Sequence, residues 1–154
     1  MSNRAEYRSV LLVLLLAGCG GGLSEQQRLE KIMGGEVKKV TPVSGTVLVD
    51  NEPQPRIAVL LYKADGSERI GTIGPVFTAA DGKFTFTTYK AGDGLEEGIY
   101  KLAFVGQHYS KSKGNFDGPD LLNGRYSDPV KSEFVLDVVE GSPQPNLKFE
   151  LTTR

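Results

Sequence analysis

A single histidine, His108, and a single cysteine, Cys19, set narrow limits on the chemistry open to this chain of 154 residues. A histidine-based metal site would have to draw every other ligand from carboxylates, and neither an HxxxH nor a CxxC spacing is present. A structural zinc is therefore not expected. A Ser-His-Asp set can be written from Ser110, His108 and Asp117, yet no nucleophile elbow and no source of an oxyanion hole accompany it. His108 reads better as a solvated loop residue. The carboxylate pairs Glu96-Glu97 and Asp117 with Asp120 have the oxygen atoms for acid-base work or a calcium ion, but oxygen-rich loops are common on β proteins and the EF-hand pattern is absent. The expectation is no catalytic residue, no metal ligand and no cofactor.

Recognition chemistry is denser than reaction chemistry. Between residues 107 and 128 runs QHYSKSKGNFDGPDLLNGRYSD, longer than the roughly 12 to 15 residues beyond which structureless connections are uncommon. It mixes Tyr109, Phe116 and Tyr126 with Lys111, Lys113, Asp117, Asp120 and Arg125, flat rings and both charges together, which suits contact with a protein or a glycan. Tyr109, Phe116, Asp117 and Tyr126 are the candidate binding residues. The competing expectation is that Phe116, Leu121 and Leu122 fold back as a small satellite core.

Cys19 ends an apolar run, Val10 to Ala17, of eight residues, where a helix needs roughly 20 to cross the hydrocarbon core. Arg4 and Arg8 precede the run and glycines follow it, the charged, apolar and cleavable order of an export signal. Leu16-Ala17-Gly18-Cys19 resembles the lipobox of bacterial lipoproteins. That resemblance implies removal of residues 1–18 and lipidation of Cys19, with Gly20, in place of aspartate, permitting onward transport to an outer membrane. Two or more acyl chains, at ~0.8 kcal/mol per buried methylene, make such an anchor essentially permanent. The expected location is the bacterial cell envelope, with the membrane as one partner.

The elements that must carry the candidate residues follow from composition and periodicity. A formal net charge of −1, with no basic stripe, excludes nucleic acid as a partner. With Cys19 acylated no thiol remains, so the domain has to stand on its core alone. The 19 glycines and 8 prolines divide the chain into short segments, which favours strands. Residues 19–40 read as a tether, in which Ser24 and Gln27 form a capping box before a short helix whose apolar face is only Leu29, Ile32 and Met33.

Over residues 41–154 the period becomes two. Val43, Val47 and Val49 alternate, as do Ile57, Val59 and Leu61, then Phe84 and Phe86, then Tyr100, Leu102 and Phe104. Phe134, Leu136 and Val138, then Leu147, Phe149 and Leu151, continue the pattern, and a weaker strand at Val76 to Thr78 makes seven. Asp50-Asn51, Asp65-Gly66, Asp81-Gly82, Gly98 and Gly141-Ser142-Pro143 separate them. The expected fold is all-β, a two-sheet antiparallel sandwich of about seven strands.

VSGTVLVDNEPQP, TAADGKFTF, GIYKLAF and RYSDP, in that order, resemble the carboxypeptidase regulatory-like, transthyretin-like sandwich found in small bacterial lipoproteins. One departure is Arg56-Ile57, where that family often has a pair of small residues. The urate-pathway hydrolases of transthyretin type end in Tyr-Arg-Gly-Ser, and Leu151-Thr152-Thr153-Arg154 does not match. The metallocarboxypeptidases hold their zinc chemistry in a separate domain that this chain is too short to include. The expected function is a non-enzymatic, lipid-anchored envelope module for structure or for protein or glycan interaction. The alternative is a small-ligand or cation-binding module that uses the 107–128 loop.

Overall fold

The computed structural model describes residues 23–70 and 74–154. The segment read as an export signal, and Cys19 with it, lies outside the described residues. The chain divides into two units, Met1–Gly35 and Glu36–Arg154. In the first, α1 (Glu25–Met33) is capped as its sequence requires: Gln27 N–H donates to Ser24 Oγ (3.2 Å) and Ser24 N–H donates to Gln27 Oε1 (2.9 Å). Gly34, with φ 71°, ends it, and none of its residues is buried. Among the described residues no helix is long and apolar enough to cross a membrane.

The second unit is all β. Its strands are β1 (Val40–Thr41), β2 (Val43–Val49), β3 (Glu52–Pro53), β4 (Ala58–Lys63), β5 (Val76–Phe77), β6 (Lys83–Thr85), β7 (Leu95–Glu96), β8 (Gly98–Val105), β9 (His108–Ser110), β10 (Asn115–Asp117), β11 (Val135–Val138) and β12 (Gln144–Leu151). One sheet has the order β12-β2-β3, with β6 sharing the β3 side of β2, and the other runs β11-β8-β4-β5. Pairing is antiparallel except that β12 runs parallel to β2, from Gln144 opposite Val43 to Leu151 opposite Val49. The alternation in both strands fits either direction, because side-chain period is the same in parallel and antiparallel ladders.

The sheets face each other across a core of Val43, Val47, Phe84, Phe86 and Phe149 on one side and Val59, Leu61, Leu102, Phe104 and Leu136 on the other. Phe149 meets Phe104 at 5.3 Å and Phe134 at 5.7 Å between ring centroids, within the range where tilted and edge-on rings attract. Two motif positions have structural work here. Gly82 holds φ 73° at the turn into β6, and Gly98 holds φ 156° two residues ahead of Tyr100, whose hydroxyl donates to Glu96 O (2.8 Å). Burial holds that hydroxyl above its ordinary pKa.

β4 departs from simple alternation. Ala58, Val59, Leu60 and Leu61 are all buried, since the back of the β4-β8 pair carries a second apolar cluster of Ala58, Leu60, Ala103 and Val105 covered by Tyr62, Phe77 and Phe116. A strand buried on both faces reads as a continuous apolar run, which is how Ala58-Val59-Leu60-Leu61 stands. The cover comes partly from the β9-β10 hairpin.

Candidate functional site

The segment read as one long connection contains this hairpin, with Asp117 opposite His108 and Phe116 opposite Tyr109. Tyr109 packs between Phe77 (5.8 Å) and Phe116 (5.1 Å), so its ring is fixed on the back of the second sheet. His108 Nδ1 lies 2.8 Å from Asp117 Oδ1. The two candidate rings are thus brought together, and Asp117 is engaged by the histidine beside them.

Tyr126 is elsewhere. Its ring packs with Phe134 against the main core, and its hydroxyl accepts from Thr152 N–H at 3.0 Å. Leu122 is fully buried in that core, whereas Leu121 is exposed and Phe116 half-buried on the other cluster. Phe116 and Leu122 therefore fold back in two different directions and Leu121 does not, so the three form no satellite core together. Asp120 organises this stretch, accepting from Gly106 N–H (2.8 Å), Leu122 N–H (3.0 Å) and Gly124 N–H (3.0 Å).

Beside the hairpin lies an open cleft of about 1040 Å³. Three segments form it: residues 54–57 after β3, residues 77–80 from β5 onward, and residues 106–111 at β9, with Leu121 at its edge. The first segment is held by Thr78, itself 4% exposed. Thr78 Oγ1 donates to Gln54 O (2.6 Å) and accepts from Ile57 N–H (2.9 Å), while Arg56 N–H donates to Thr78 O (2.9 Å) and Thr78 N–H to Ile57 O (3.0 Å). Those bonds hold Arg56 at φ 61°, a left-handed conformation that a residue with a long side chain rarely adopts.

Arg56 and Lys111 bring two cations to the cleft, with His108 beside them held to Asp117 and the Asp120 carboxylate accepting from Gly106 N–H. Among the described residues neither Arg56 nor Lys111 joins an ion pair, unlike Lys38 with Glu96, Lys39 with Glu140 and Lys83 with Asp81 on the outer surface. Gln54 and Gln107 add amides, and Tyr109 adds a ring. Gln54, Arg56 and Thr78 were not among the sequence candidates. The only signal toward them was Arg56-Ile57, the departure from the family that the sequence resembles.

Among the described residues no group of three His, Cys, Asp or Glu side chains could hold a metal ion. No protein-family model matches the chain, and no curated protein matches it. Solved structures similar to it include a DUF3823 family protein from Bacteroides ovatus ATCC 8483, 17% identical over 73% of this chain and 44% of that one, with a TM-score of 0.40. A DUF3823 family protein from Parabacteroides merdae ATCC 43184 is 16% identical over 75% and 47%, with a TM-score of 0.37. (S)-allantoin synthase is 17% identical over 81% and 46%, with a TM-score of 0.40. The chain spans less than half the length of each of these proteins. Its all-β assignment rests on its own strand pairing.

Proposed function

We propose that this chain is a non-enzymatic binding module of the bacterial cell envelope, anchored through a lipid on Cys19 and receiving its partner in the cleft beside the β9-β10 hairpin. The observation that carries the reading is the strained, clamped Arg56 segment at the cleft. Backbone held in a costly conformation by buried hydrogen bonds is a recurrent property of ligand clamps. The lining favours binding over reaction, since it contains no carboxylate, serine or cysteine and its one hydroxyl in a buried residue, that of Thr78, is engaged on both sides. The lipobox pattern supports the anchor and the envelope location.

The test is fractionation and capture in the native envelope. The wild-type chain is expected to partition with membranes and bring down a partner. Cys19→Ala is expected to lose the membrane fraction and the lipid mass, and a cleft substitution at Arg56 is expected to lose the partner while keeping the anchor. Full membrane retention by the alanine variant overturns the anchor, and partner capture that ignores Arg56 overturns the cleft.

A further inference from the structure

We propose that the cleft ligand is an acidic polysaccharide, a sugar chain bearing carboxylates, held through Arg56 and Lys111. The proposal rests on the cleft being the binding site and names the class of molecule it takes.

Charge is the first argument. Arg56 and Lys111 line one concavity and, among the described residues, neither joins an ion pair, so both are open to an anion from outside. Two cations lining one concavity draw an anion from solution, and walls of protein strengthen that attraction relative to open water. Arginine adds a planar fork that grips a carboxylate with two parallel hydrogen bonds.

Shape and surface chemistry are the second. The cleft is open and, at about 1040 Å³, stands at the upper end of the roughly 300 to 1,000 Å³ of ordinary small-molecule sites, so it suits a segment of an extended chain. Sugar rings offer apolar C–H faces and many hydroxyls. Tyr109, braced by Phe77 and Phe116, offers a ring fixed in place, and the amides of Gln54 and Gln107 offer donors and acceptors. Gln107 Nε2 already donates to Gly118 O (2.6 Å), which orients its amide. The net charge of the whole chain, −1, sets this patch apart from a general affinity for polyanions.

Arg56 is also the residue that a purely structural account leaves unexplained. Glycine adopts φ 61° without penalty, so Arg56→Gly should relieve strain. Keeping arginine there makes sense where its side chain has a task.

The experiment is titration calorimetry of the full chain in detergent with polygalacturonate and, separately, with uncharged dextran. Saturable heat is expected with polygalacturonate and none with dextran. Raising salt to about 1 M, where the screening length is roughly 3 Å, should weaken binding at least about tenfold. Arg56→Gly and Lys111→Gln should each weaken it about tenfold, with the melting temperature of Arg56→Gly equal to or above that of wild type. Equal binding of dextran, lost in the same variants, overturns the acidic class and leaves the cleft as the site. Binding of polygalacturonate that ignores both substitutions overturns the cleft as well. No heat with either polymer overturns the acidic class, and the envelope capture experiment then judges the cleft separately.

Discussion

Thr78 is the residue on which the cleft depends most directly. Its hydroxyl serves one part-buried carbonyl, that of Gln54, and one buried N–H, that of Ile57, so replacing it with a group of the same shape strands both. Thr78→Val should cost about 1 to 3 kcal/mol in chemical denaturation, through lost hydrogen bonds and not through a cavity. Alanine adds a cavity and is the less informative change. Asp50 is a second single-residue case. The Thr153 hydroxyl first, then that of Thr152, donates to its carboxylate and holds its pKa below the ordinary 3.8. A depressed folded pKa gives stabilisation that is complete above the ordinary value and lost as pH falls through the folded one. Melting temperature followed downward from about pH 5 should therefore fall more steeply for wild type than for Asp50→Asn, and parallel curves would remove Asp50 from the acid response. Tyr109, Phe116 and Asp117 were legible in the sequence because an overlong polar connection with rings draws notice. Arg56 and Thr78 were not, because their roles arise from a positive φ and from a hydrogen-bonded bridge across residues 57 and 78 that no local pattern announces.

Strands were the most legible elements, since β2 and β11 bury alternate side chains along their whole length and β12 does so at its end. What could not be read was which strands would lie parallel, or that Leu60 would be covered as well as Val59 and Leu61, because both depend on neighbours far away in the chain. The β9-β10 hairpin supplies that cover and gives an element-scale test. Replacing residues 111–118 by a short Gly-Ser linker removes Phe116 from the back cluster but leaves Leu122 in the main core. A modest drop in melting temperature is expected, smaller than that of Phe86→Ala. Phe86 is 0% exposed and its truncation should cost about 3 to 5 kcal/mol. A larger loss from the linker than from Phe86→Ala would show that the hairpin, and not the space between the sheets, is the main source of stability.

At the scale of the molecule, the second unit, Glu36–Arg154, contains no cysteine and carries its own core. Residues 36–154 alone should melt in one cooperative transition from a β-rich spectrum, and a disordered spectrum or a transition without cooperativity would contradict a core that stands by itself. The parallel ladder between β2 and β12 joins segments about a hundred residues apart, as in the Ser44 hydroxyl donating to Pro145 O. Closing so long a loop precedes any gain from the contacts it makes, and topologies of that kind assemble in milliseconds to seconds, far slower than helical bundles. β2 also carries β3 and β6 on its other side, so the first sheet has no complete centre until β12 arrives. During synthesis from the amino end, β12 is made after every other strand of this unit. Until then β2 lacks one of its two neighbours, so the order of synthesis makes the last strand the one that closes the first sheet.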